Sequence, residues 1–198
     1  ENHIWLDSSR GLTHRLSSNN TDDETTDSNA VISSFDADGF TLTQYHDSNQ
    51  NSSRNVGWCW KANGGTTSSN TDGSVTTTVQ ANTTAGFSIV LYTGTGANAT
   101  FGHGLGAVPK MIITKTRSNS GDWMVYHGAN TSAPQTDFLK LNATNLTEDL
   151  NTVFNDTAPT SSVFSLGSNG DVNTSGRTQV AYVFAEVEGY SKFGSYDR

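Results

Sequence analysis

Residues 40–61 can be laid over residues 164–185 without a gap, each residue meeting its counterpart 124 places later. Phe40-Thr41-Leu42 meets Phe164-Ser165-Leu166, and Asp47-Ser48-Asn49 meets Asp171-Val172-Asn173. Val56-Gly57-Trp58-Cys59-Trp60 meets Val180-Ala181-Tyr182-Val183-Phe184. Solenoid and propeller repeats run to roughly 20–50 residues, so an offset of this size signals a domain copied in tandem. Weaker matches extend the overlay upstream, with residues 2–7 opposite 121–126 and residues 14–17 opposite 139–142. Downstream, Gly189-Tyr190-Ser191 echoes Gly86-Phe87-Ser88.

This phase sets the expected organisation. Residues 1–65 read as the C-terminal part of a first repeat unit, 66–84 as a Gly/Ser/Thr/Asn-rich linker or arm, 85–190 as a second, essentially complete unit, and 191–198 as the start of a further unit. The expectation is a segment of a longer, multi-unit polypeptide, its units able to reorient about the polar connection.

Each copy must fold by the pattern the two share, and that pattern has a period of two. Val56, Trp58 and Trp60 alternate with Gly57, Cys59 and Lys61, and Val180, Tyr182 and Phe184 alternate with Ala181 and Val183. Alternation of this kind marks a strand with two unlike faces. Residues 87–92, 110–115, 123–126 and 138–141 are further strands, bounded by Gly, Pro, Asn or Asp. The one stretch with helical spacing, Leu146, Leu150 and Val153, has a purely polar counterpart at residues 20–29, so it reads as a long loop with at most one helical turn. Many short strands without interleaved helices predict an all-β protein, with antiparallel β-sandwich, jelly-roll-like units in tandem.

Hydrophobic residues are 33% and charged residues 15%, yet aromatics reach 10%, which separates this polar chain from a disordered one. A net charge of −8 without a basic cluster argues against nucleic-acid binding, whose affinity comes from Lys and Arg on phosphates. No apolar run approaches the roughly 20 residues of a membrane-spanning helix, so no membrane insertion is expected. The single Cys59 excludes an intrachain disulfide and reads as a small packed residue.

Several residues are candidates for chemistry. Asp36-Ala37-Asp38-Gly39 clusters carboxylates on a tight turn, as a Ca2+ site does, but its counterpart Ser161-Ser162-Val163 has none, and a plain turn accounts for it as well. Asp47, Asn49, Asp171 and Asn173 recur in both copies, either as turn caps or as contacts to Ca2+ or sugar hydroxyls. Trp58 and Trp60 form either a core face or a stacking platform for sugar rings. The five histidines show no metal-ligand spacing. Glu186 and Glu188 could serve as an acid pair or as the solvated end of a strand.

Residues 101–113, Phe-Gly-His-Gly-Leu-Gly-Ala-Val-Pro-Lys-Met-Ile-Ile, hold the most specific motif. Its glycines permit a tight backbone approach and Pro109 suits entry to a strand. The His-Gly-Leu-Gly…Pro segment resembles one in distal domains of bacteriophage tail fibres. The longer pattern, from Gly86-Phe87-Ser88-Ile89-Val90 through residues 158–164 to residues 184–190, is similar to a tandem-repeat domain of phage structural proteins, marine ones especially. The resemblance implies a non-enzymatic virion component (tail fibre, appendage or capsid decoration) at the virion surface. Its implied partners are other virion proteins and host cell-surface glycans, with the chain a homo-oligomer and His103 of the motif at a glycan contact. Two other readings stand beside it: a secreted or cell-surface bacterial carbohydrate-binding module, and a polysaccharide depolymerase.

Overall fold

The computed structural model describes residues 2–27, 31–43, 48–49, 51–52 and 54–196. It is nearly all-β, with antiparallel pairing between its strands and two helices of one turn each. The chain opens with β1 (Ile4–Trp5), β2 (His14–Ser17) and β3 (Thr25–Thr26), which make a three-stranded sheet in that order. A hairpin of β4 (Ile32–Phe35) and β5 (Phe40–Leu42) follows. The remainder comprises β6 (Ser68–Asn70), β7 (Thr77–Asn82), β8 (Phe87–Thr93), β9 (Ala99–Gly102), β10 (Pro109–Thr116), β11 (Met124–His127), β12 (Asp137–Lys140), β13 (Glu148–Asp149), α1 (Asn151–Phe154), β14 (Val163–Leu166), α2 (Gly170–Asn173) and β15 (Thr178–Ala185). Eight of these strands form one sheet in the order β13-β12-β11-β10-β15-β8-β7-β6, and β9 pairs with β14 beside it.

The alternation read from the sequence decides which face each side chain takes. Along β15, Ala181, Val183 and Ala185 join one apolar cluster, while Val180, Tyr182 and Phe184 join another. On β8 the same rule sends Val90 and Tyr92 one way and Phe87 and Ile89 the other. The large sheet is therefore buried on both faces. Phe101, Val153, Phe154, Phe164, Leu166 and Val172, from β9, β14 and the helices, cover the first. Trp5 and Leu16 of the N-terminal sheet cover the second, with Ala62 and Phe193.

The N-terminal sheet is joined to the large one by aromatic and ionic contacts. Trp5 lies 5.1 Å from Trp123 and 4.9 Å from Tyr182 between ring centroids. The Trp123 indole donates to the Ser17 carbonyl at 3.0 Å. Tyr182 donates its hydroxyl to Asp7 at 2.8 Å, and Asp7 in turn accepts from the buried Arg10. Glu24 takes Arg10 on one side and both arms of Arg117, at 2.8 and 2.7 Å, on the other. Burial raises the Asp7 and Glu24 carboxyls, but their guanidinium partners outweigh it and hold both below the ordinary carboxylate range.

Two stretches depart from expectation. Residues 66–84, read as a linker or arm, supply β6 and β7 to the sheet, and Gln80 of β7 bonds Ser8, Ser9 and the Gly65 amide. Residues 55–61, read as a half-buried strand, form no strand and, with Arg54 before them, are exposed throughout. Their counterpart β15 is buried from its second residue to its last. The alternation is intact in both, but β15 lies between β10 and β8. No described strand flanks residues 54–61.

Candidate functional site

The most distinctive surface is this exposed segment. Val56 and Trp58 are 77% and 76% exposed, and Trp60 is 48% exposed. Trp60 meets Phe184 edge-on at 5.8 Å, at the rim of the core. Phe35 and Phe40 of the β4–β5 hairpin stand partly in solvent nearby, the Phe40 ring so close to Gly57 that a Cβ there would approach it to 3.1 Å. At its C-terminal end the Asn82 amide donates to the carbonyl oxygens of Lys61 and Ala62. Cys59 is an exposed free thiol and not a packed residue. Both corrections share a cause: apolar alternation signals a preference for burial, and no partner strand supplies it here.

Among the described residues, those singled out for sugar or metal contact do not gather into one site. His103 is fully buried and faces inward: its Nδ1 accepts from the Leu105 amide at 3.2 Å, which leaves Nε2–H for the Thr160 carbonyl at 3.2 Å. Burial lowers its pKa, so the ring is neutral, and it pins the 102–106 turn to residues 160–162. Asn173 is buried too. Its carboxamide donates to the carbonyls of Ala97 and Gly167, at 2.7 and 2.8 Å, and accepts from the Thr95 amide. In these positions neither side chain presents a polar group to a saccharide. Asn49, exposed, donates to the Thr43 carbonyl at 3.0 Å, and Asp47 lies outside the described residues. Asp36 closes the β4–β5 turn by accepting from the Thr41 hydroxyl at 2.8 Å, with Asp38 exposed beside it. Among the described residues no group of three or more His, Cys, Asp or Glu side chains is placed to hold a metal ion. Glu186 accepts from the Phe193 amide at 3.1 Å, and Glu188 is exposed.

One polar site escaped sequence reasoning. Lys115, on β10, is fully buried, and its ammonium donates to the carbonyls of Gly121 and Thr21 at 2.8 and 3.1 Å. Burial pushes its pKa down to about 8, against the opposing pull of Asp171, Asp22, Asp23 and Asp122. Asp171 is half-buried, and above all its burial holds its carboxyl above the ordinary value. No side-chain pattern marks such a lysine, since its acceptors are backbone carbonyls, one six residues on and the other 94 residues away.

The upstream repeat is visible in individual hydrogen bonds. His3 donates its amide to Asn19 Oδ1 at 2.7 Å and accepts at its carbonyl from Ser18, as Trp123 donates to Asn142 Oδ1 at 2.8 Å and accepts from Leu141. The carboxamides of Asn19 and Asn142 then reach Asn2 and Asp122 in turn. β1 pairs with β2 as Ile4↔Ser17 and Trp5↔Leu16, and β11 pairs with β12 as Met124↔Lys140 and Val125↔Leu139. These bonds put His3 opposite Trp123 and Leu16 opposite Leu139, which shifts the sequence overlay by one residue in the first strand and two in the second.

Comparison with curated proteins and with solved structures finds no match. Comparison with protein families matches residues 1–198 to a single description, and the chain belongs to the family described as domain of unknown function, DUF7483.

Proposed function

We propose that this chain is a non-enzymatic structural component of a virion surface, a tail fibre, appendage or capsid decoration, built of stacked β-sandwich units. The observation that carries this reading is the doubled meander: β1–β2–β3 and β11–β12–β13 share strand order, register and the Asn-to-backbone clamp. What supports a structural role is the way the first lies on the second, through Trp5 on Trp123 and Tyr182 and through the Asp7–Arg10–Glu24–Arg117 chain. Units joined by buried contacts repeat along an axis with a fixed rotation, which suits a rod or a surface lattice. Weak contacts to host glycans would then gain avidity from repetition. The phage assignment rests on the residue 101–113 motif and the pattern around it.

Electron cryomicroscopy of particles carrying the native protein tests this reading. Repeated β units on a tail or capsid are expected; a free or cell-attached protein with no particle would overturn it. A second reading, a carbohydrate-binding module, is favoured by one observation, the solvent-facing Trp58 and Trp60. Under it, Trp58→Ala would abolish retention on a polysaccharide column without lowering stability.

A further inference from the structure

The register of the two meanders says what the exposed 54–61 segment lacks. β11 pairs on one side with β12 and on the other with β10, and β10 pairs in turn with β15. β1, which takes the place of β11, pairs among the described residues with β2 alone, so its other edge carries no described strand. Residues 54–61 stand where the repeat puts β15, yet they have neither the β10-like strand on one side nor the β8-like strand on the other. Phe40 adds a third sign. Its counterpart Phe164 stacks on Phe101 of β9 at 5.6 Å, whereas Phe40 is 37% exposed. Open edge, unpaired apolar segment and part-exposed ring thus all lack one set of neighbours, and that set is continuous in sequence: β8, β9 and β10.

We infer that residues 54–61 are a strand in waiting, whose partner is a β8–β9–β10 strand set belonging to another unit of the same repeat. In that complex the added β10-like strand bonds to the open edge of β1 and residues 54–61 fill the gap between it and the β8-like strand. Val56, Trp58 and Trp60 then take the places of Val180, Tyr182 and Phe184, and Cys59 takes that of the fully buried Val183. Pairing satisfies the backbone groups of an exposed extended segment and buries aromatic area, the two terms that stabilise strand addition. The chain's own β8 and β10 are both bonded to β15, so a second folded copy has no free set to lend. The inference rests on the repeat-unit reading above and not on glycan adhesion.

The test extends the full chain by a copy of residues 75–120 placed ahead of residue 1, which sets out the order strand set, meander, strand in one polypeptide. Cys59 is the only cysteine and is exposed, so iodoacetamide alkylation reports on it directly. We expect alkylation to slow by about tenfold or more in the extended chain, as for a residue that reacts only on local opening. Tryptophan emission should shift to shorter wavelength in the same sample. A control with Ile89→Pro and Ile113→Pro in the added copy, which removes ladder donors, should react like the original chain. Equal Cys59 reactivity with and without the extension overturns the inference. So does slow alkylation of the unextended chain accompanied by a dimer in sedimentation, because the occupant would then be a second copy. If the extended chain precipitates, the same residues are added as a separate peptide, and unchanged alkylation at saturating peptide overturns the inference. Failure in any of these forms leaves the particle-imaging test of the virion reading intact.

Discussion

Tyr182 shows how far a single hydroxyl reaches in this molecule. It lies in the central strand, fully buried, and donates to an Asp7 carboxylate 175 positions away in sequence. Removing the donor leaves Asp7 with Arg10 but short of one buried partner, which costs about 1–3 kcal/mol. Tyr182→Phe should lower the urea midpoint by that equivalent, with an unchanged slope. Lys115 gives a pH signature instead. Its folded pKa is lowered to about 8, so between there and the ordinary lysine value the unfolded chain holds more protons, and stability rises with pH across that window. The buried tyrosines act oppositely, since burial raises Tyr92 and Tyr182 and their stabilisation fades once unfolded tyrosine ionises near pH 10. Comparison with Lys115→Met cancels the tyrosines. Wild type should gain on the variant from about pH 8 to 10 in parallel denaturant titrations. Such residues were illegible beforehand because the sequence shows their type and not their partners. His103 and Asn173 looked like surface groups, yet each is buried against backbone groups from 57 to 78 residues away.

At the scale of elements, the period-two signal located β8, β10, β11 and β12 to within a residue or two, because each has a face in one of two apolar clusters. The same signal at residues 54–61 produced no buried strand. A strand's pattern records what it prefers to touch, while its placement depends on which edges are open to it, and only topology supplies those. The one-turn α1 shows the converse, a weak helical spacing made real by packing. Val153 and Phe154 are buried in the core while Leu150 stays largely in solvent, and Gly167 donates its amide to the Val153 carbonyl at 2.9 Å. A Cβ at Gly167 would collide with the Thr152 carbonyl, a backbone atom that cannot swing aside. Gly167→Ala is therefore expected to destabilise by about 1–3 kcal/mol, read as a lower midpoint in thermal or urea unfolding.

Across the whole molecule, the joint between N-terminal sheet and large sheet is the acid-sensitive part. Asp7 and Glu24 both have folded pKa values below their unfolded ones, so their contribution is present above the unfolded values and is lost as pH falls through the folded ones. Limited proteolysis below about pH 4 should cut first within residues 2–27 while β8, β10 and β15 remain protected, with the released fragments identified by mass. Hydrogen exchange that collapses uniformly across both sheets at that pH would show a single cooperative unit instead.

The order of strands in the large sheet also bears on how the chain is made. β15 follows both β8 and β10 in sequence and is the bridge between them, since the two do not pair with each other. On a ribosome, β8 and β10 therefore each present one unpaired edge until residues 178–185 follow, the interval in which strand-rich nascent chains aggregate or recruit a chaperone.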